Sequence, residues 1–178
     1  MERMQINWMQ KSNSYYKDFC ISGYASVFDV VDSHNDIIVK GAFDSTIRSR
    51  AEKIKLLWQH DPKFPIGKIT QIYEDAYGLY IEASITSGTE KGREAIDLFS
   101  KNIINGLSIG FNTQKSYIRE DNKRIITELE LWEISVVTFP ANYLSEAIAI
   151  EASQKRFVSV LEDAALYISQ INKRSKNG

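Results

Sequence analysis

Gly106-Leu107-Ser108-Ile109-Gly110-Phe111 decides how the fold is read, together with what stands on either side of it. G-x-S-x-G is the form of the nucleophile elbow of α/β-hydrolases, where the serine sits on a turn from a strand into a helix and the histidine comes later in the chain. Here the order is reversed. A helical pattern precedes the motif, strand-like residues run on from Leu107 to Ile118, and both histidines, His34 and His60, lie upstream. The motif therefore does not fit that fold, and as a lone motif its serine is more often a turn residue than a nucleophile.

Outward from the motif, β-branched and aromatic runs broken by turn residues predict strands over 19–30, 54–58, 66–73, 78–85, 107–118 and 124–138. Glu74-Asp75-Ala76-Tyr77-Gly78 and Arg119-Glu120-Asp121-Asn122-Lys123 read as hairpin turns, so antiparallel pairing is expected. Helical signals interrupt this pattern in three places. Over 41–50, Phe43 and Ile47 stand four apart on one face; Ser87-Gly88-Thr89-Glu90 has the form of a capping box opening a helix to about Lys101. The third and longest covers 151–172, where Phe157, Leu161, Ala164, Ile168 and Ile171 make one apolar stripe. That stripe packs on the chain's own sheet or is offered to a partner subunit. The expected class is mainly β with flanking helices (α+β), an antiparallel β-barrel, closed or nearly so. Residues 1–150 would form the barrel domain with its short helices, and residues 151–178 an amphipathic helix with a basic tail.

Composition narrows the chemistry. With 178 residues the chain is long enough for a hydrophobic core without staples. Its 22 Lys+Arg against 23 Asp+Glu argue against a broad nucleic-acid or anionic-membrane surface, which would need clustered cations. A single cysteine, Cys20, excludes an intrachain disulfide framework, and with two histidines a structural metal site is not expected. No stretch approaches the ~18 apolar residues of a membrane span, and residues 1–11 lack the apolar core of a signal peptide. The expectation is a cytoplasmic protein with neither metal nor cofactor.

Two further segments carry titratable groups in places that invite chemistry. In Leu56-Leu57-Trp58-Gln59-His60-Asp61-Pro62 an apolar strand runs into a histidine before a proline, and imidazole has the near-neutral pKa of a general base. A surface turn histidine is the plain alternative. In Leu131-Trp132-Glu133-Ile134-Ser135-Val136-Val137, alternation places Glu133 on one face with Leu131, Ser135 and Val137. Burying its carboxylate requires a partner, which an imidazole would supply; an edge strand with Glu133 in solvent is the other reading.

Five blocks in order carry a resemblance: Gly23-Tyr24-Ala25-Ser26-Val27-Phe28; Asp32-Ser33-His34-Asn35-Asp36 leading to Gly41-Ala42-Phe43; Gln59-His60-Asp61 with Pro65-Ile66-Gly67; the Gly106–Phe111 motif; and Trp132 through Asn142. Over roughly residues 20–150 the chain resembles the prohead serine proteases of HK97-like tailed phages, a group related in fold to herpesvirus assemblins. The resemblance implies a barrel of the herpesvirus-protease type and a serine endopeptidase. Such an enzyme works inside the assembling prohead, in the cytoplasm of the host bacterium, and cleaves scaffold protein, the scaffold-like part of the major capsid protein, and often itself.

On matching positions the resemblance makes Ser108 the nucleophile and His60 the general base. Glu133 is the chosen third member. Herpesvirus enzymes use a second histidine, but His34 lies outside the block where that member is expected, and Asp61 is adjacent to His60 and so points to the opposite face. Backbone N–H groups near Ile109 and Gly110 are candidate oxyanion donors. Herpesvirus relatives dimerise through helices, so the resemblance offers a homodimer through 151–172 as the alternative to packing on the chain's own barrel, which is the preferred reading. Two other classes remain open: an inactive capsid-assembly or scaffold protein of the same fold, and a small-molecule serine esterase.

Overall fold

The computed structural model describes residues 19–150. In chain order they form β1 (Phe19–Val27), β2 (Asp36–Ile38), α1 (Asp44–Arg50), β3 (Lys55–Trp58), β4 (Asp61–Glu74), β5 (Gly78–Ile85), α2 (Glu90–Ser100), β6 (Gly106–Ile118), β7 (Arg124–Val137) and β8 (Ala147–Ile150). The expected helix over 151–172 and the basic tail lie outside the described residues.

All eight strands belong to one sheet, in the order β2-β7-β3-β4-β5-β1-β8 with β6 along the other side of β7. Both expected hairpins are present, β4–β5 and β6–β7. Antiparallel pairing is not universal, however. The start of β7 runs parallel to β2, and its end, Glu133–Val136, runs parallel to β3. Parallel neighbours require a crossover rather than a tight turn, and local turn signals cannot announce them.

The expected barrel is not closed. β8 is four residues long, pairs with β1, and reaches β6 through a single bridge, Gly106 to Glu146. Around that bridge Leu107 N–H donates to Ser145 O at 2.9 Å and Ala147 N–H to Asn105 O at 2.9 Å. Beyond it β6 continues to Ile118 paired with β7. The sheet is mainly β with few helices, curled around a core that includes Ile21, Leu56, Ile66, Ile81, Leu107 and Ile134, all buried. Phe43 ahead of α1 and Ala95 and Phe99 of α2 close the core; the last two stand four apart on one helical face. α2 is capped by Thr89, whose Oγ1 accepts Gly92 N–H at 3.0 Å, so the helix starts later than a cap at Ser87 would require. Among the described residues no helix is long and apolar enough to cross a membrane.

One irregularity in β7 positions everything that follows. Gly110 pairs with Glu133 but Phe111 with Leu131, so Trp132 is an extra residue with no opposite number. An inserted residue reverses which alternate side chains face the core. Leu129 and Leu131 point inward before it, Ile134 and Val136 after it. Glu133 therefore does not share a face with Leu131, as strict alternation suggests. It stands with Ser135 on the side away from the core, across from Gly110 and Ser108 of β6.

Candidate active site

His60 is neither the end of a strand nor the lead into a proline turn. Gln59 and His60 are the whole connection between Trp58 and Asp61, which pair with each other, and Pro62 already lies in β4. Both turn residues have left-handed backbones, φ 53° and 60°. This is the pattern of a type I′ hairpin turn, which Asn-Gly adopts easily and residues with larger side chains resist. Hydrogen bonds hold it. Gln59 N–H donates to Val136 O at 3.0 Å, Gln59 Nε2 to Thr138 Oγ1 at 2.9 Å, and His60 N–H to Ser135 Oγ at 3.0 Å. Local strain held by this many partners is a signature of sites where a side chain must be aimed.

The imidazole is aimed at Glu133, with His60 Nδ1 2.6 Å from Glu133 Oε1. A carboxylate accepts and does not donate, so Nδ1 carries the proton and Nε2 is left as the basic nitrogen. Ser135 Oγ donates to the other carboxylate oxygen, Oε2, at 2.7 Å. The Glu133 side chain is 12% exposed, that of His60 43%. Hydrogen bonding to Glu133 raises the His60 pKa above its ordinary value; partial burial opposes the rise and the carboxylate's charge adds to it.

Gly110 makes room for this carboxylate. A Cβ placed there would stand 2.3 Å from Glu133 Oε1 and 2.9 Å from Cγ and Cδ, so any side chain would collide with the acid's present position. Its neighbour two residues back, Ser108, is directly opposite Ser135. Side chains facing each other in this way leave the sheet on one side, which places Ser108, Ser135 and Glu133 in one patch. Because Leu107 N–H is directed at Ser145 O, away from β7, alternation turns the N–H groups of Ser108 and Gly110 toward β7 and that of Ile109 away from it.

Ser108 and His60 line the same cleft, of about 270 Å³, with Ile109, Phe111, Phe139, Ala141 and Asn142 on its walls and Asp32, Ser33 and His34 at one end. The structure thus brings Ser108, His60 and Glu133 together from β6, the β3–β4 turn and β7. His34 stands within the Asp32–Asp36 turn with its side chain 71% exposed, and its N–H donates to Asp32 Oδ1 at 2.8 Å. Asp61 Oδ1 accepts Lys63 N–H at 2.8 Å, a local turn contact. Among the described residues no cluster of three or more His, Cys, Asp or Glu side chains is placed to hold a metal ion. Two residues of the patch escape sequence reasoning in these roles, Ser135 and Gly110. The available signal for Ser135 was a small polar residue two positions after an acid in an otherwise apolar strand.

Residues 7–159 match the family model described as Caudovirus prohead serine protease. The chain is 35% identical over 129 residues to the prohead protease of Enterobacteria phage HK97, a match covering 71% of this chain and 57% of that protein, so it spans somewhat over half of this relative's length. Among solved structures it is similar to the bacteriophage T4 capsid assembly protease, with TM-score 0.55 and 16% identity over 66% of this chain and 80% of the other. It is also similar to the KSHV protease solved with a hexapeptide phosphonate inhibitor, with TM-score 0.53 and 14% identity over 86% and 75% of the two chains. At these identities both likenesses concern the fold, which is thereby similar to that of the herpesvirus proteases.

Proposed function

Because this chain belongs to the Caudovirus prohead serine protease family, we propose that it is a serine endopeptidase of phage prohead maturation, with Ser108 as nucleophile, His60 as general base and Glu133 as the acid that orients it. The observation that carries the reading is the 2.6 Å contact of His60 Nδ1 with Glu133 Oε1 at the edge of a cleft shared with Ser108. Its substrates are the scaffold protein or the scaffold-like part of the major capsid protein, and the chain itself, met inside the assembling prohead in the host cytoplasm.

In this mechanism Ser108 Oγ attacks the scissile carbonyl while His60 Nε2 takes its proton. The imidazolium so formed is stabilised by the Glu133 carboxylate on Nδ1. The tetrahedral intermediate collapses to an acyl-enzyme as His60 returns the proton to the leaving amine. Water then attacks the ester with His60 again as base, and the carboxylate product leaves Ser108 free. Of the two candidate oxyanion donors, Ile109 N–H is the better suited, since alternation points it away from β7; the part of Gly110 is to admit the carboxylate. In the same proposal the helix expected over 151–172 packs on the chain's own domain, with a homodimer through it as the alternative.

Incubation of the purified chain with the scaffold and capsid proteins of its phage tests the reading. The wild type is expected to cut at least one of them and Ser108→Ala neither. A wild type that cuts nothing would make the chain an inactive assembly protein of this fold, and turnover of esters without peptide cleavage would make it an esterase. Light scattering of Leu161→Glu tests the dimer: where the helix is a subunit contact a soluble monomer is expected, and a wild type already monomeric removes the dimer.

A further inference from the structure

Ser135 is fully buried, yet it spends its hydroxyl on two members of the site at once. Its Oγ–H donates to Glu133 Oε2 at 2.7 Å, and the same oxygen accepts the N–H of His60 at 3.0 Å. From this we infer that Ser135 is a positioning residue, a single hydroxyl that locks the orientation of the orienting acid and the backbone of the base. The inference rests on the roles proposed for Ser108, His60 and Glu133.

The geometry explains why one atom is used for both. Glu133 has three side-chain torsions, and its carboxylate lies over Gly110, which sets no side chain of its own against it. A carboxylate held at one oxygen can rotate about its terminal bond; held at both, by His60 Nδ1–H and Ser135 Oγ–H, it presents Oε1 in a fixed direction. His60 has the opposite need. Its left-handed backbone has a competing right-handed basin available, and the bond from its N–H to Ser135 Oγ ties the strained conformer to β7. With the bonds closing a loop of Ser135, Glu133 and His60, movement of either partner stretches the other's contact. Such a loop is worth more than its separate members, because the loss of one member loosens the rest.

Ser135 also stands directly across the β6–β7 ladder from Ser108, so a serine-directed reagent could in principle find either hydroxyl. Both serines are buried, but double engagement assigns Ser135 to support, and its place on the cleft wall leaves Ser108 to react.

The test pairs kinetics with a measurement that needs no turnover. In Ser135→Ala, kcat for peptide cleavage is expected to fall about 10- to 100-fold with KM within about twofold of wild type, since the residue touches no substrate. In a Glu133→Ala background the same change is expected to cost clearly less than in the wild type, because only the contact to the His60 N–H is left for Ser135 to supply. The chain has only two histidines, so the His60 ring can be followed by NMR titration in a Ser108→Ala background. Removing the hydroxyl lets the acid drift from Nδ1 and moves the His60 titration to lower pH. An unchanged or higher His60 titration, or equal losses of kcat with and without Glu133, would overturn the inference. Should Ser108→Ala itself still cleave, the proposed function fails instead, and the His60 titration still decides whether Ser135 holds the pair.

Discussion

Two carboxylates are paired at β7 with basic side chains distant in sequence, Asp36 with Arg124 and Glu133 with His60, and the pairs differ in the one respect that matters for chemistry. At the start of the strand, Asp36 of β2 is buried and takes both a 2.7 Å contact from Arg124 Nε and a second from Arg124 Nη2. Near its end, Glu133 takes one contact from His60 and one from Ser135. Guanidinium stays protonated at any pH the fold survives, so the first pair is a fixed strut that joins β2 to β7 in parallel. Imidazole changes charge near neutrality, so the second pair can pass a proton. The same kind of acid-to-base contact is architecture in one place and, in the proposed mechanism, a reaction part in the other.

The largest effect should come from removing the reacting groups beside the titrating pair. Ser108→Ala and His60→Ala are each expected to lower kcat/KM for scaffold or capsid cleavage by about three to six orders of magnitude. Thermal unfolding of Ser108→Ala should remain close to wild type, while His60→Ala should melt somewhat lower because it leaves the largely buried Glu133 carboxylate without its imidazole partner. Retention of near wild-type cleavage by either variant would place the chemistry elsewhere.

Glu133→Gln comes next, keeping size while removing charge. We expect a loss of about 10²- to 10⁴-fold in kcat/KM, with the acidic limb of the pH–rate profile moving to lower pH. The sign follows from His60: its pKa is raised mainly by its hydrogen bond to Glu133, and catalysis needs the neutral ring. The linked effect on stability runs the other way. A raised folded-state pKa stabilises the fold fully below the unfolded value of about 6.5, and that contribution is lost as pH rises through the folded value. The gap in melting temperature between wild type and Glu133→Gln should therefore be wider at pH 5.5 than at pH 8.5. A limb that stays in place, or moves upward, would break the contrast between the two carboxylates.

Gly110→Ala sharpens the contrast without touching an ionisable group. A methyl at that position must displace the Glu133 carboxylate, and about a tenfold or greater fall in kcat is expected, with the acidic limb displaced in the direction of Glu133→Gln. The smallest effect on rate should come from Asp36→Asn at the other pair. Its cost should appear as about 2 kcal/mol of unfolding free energy, below that of a fully buried pair because the Arg124 side chain is 43% exposed. Denaturant unfolding checks the magnitude, and the loss should be independent of pH between about 6 and 9, because guanidinium does not titrate there.

What the amino-acid sequence makes legible follows the range of the forces involved. β5 over Gly78–Ile85 and the β6–β7 hairpin carry their alternation and turn residues locally, and their bounds differ from the expected ones by a residue at most. The parallel pairing of β2 and β3 with β7 depends on strands far apart in the chain, and no short-range pattern encodes it. The extra residue at Trp132 is likewise invisible in β7 alone, because a bulge is defined by the partner strand. It is nonetheless what turns Glu133 out of the core and toward His60. Ser108, His60 and Glu133 emerged as a set through five ordered blocks rather than any one of them. The weakest clue in those blocks, a serine two places beyond the acid, marks the residue that contacts both Glu133 and His60.

Labelling with a fluorophosphonate probes the proposed nucleophile itself, since the reagent is attacked by an activated serine without needing a protein substrate. Fluoride leaves as the serine Oγ–P bond forms, and peptide mapping by mass spectrometry locates the adduct. One adduct per chain on Ser108 is expected, absent from Ser108→Ala and strongly slowed in His60→Ala, with a rate that climbs with pH through a value above 6.5 as the His60 ring becomes neutral. An adduct on Ser135 or another serine, or labelling of Ser108 at a rate indifferent to His60, would contradict the account.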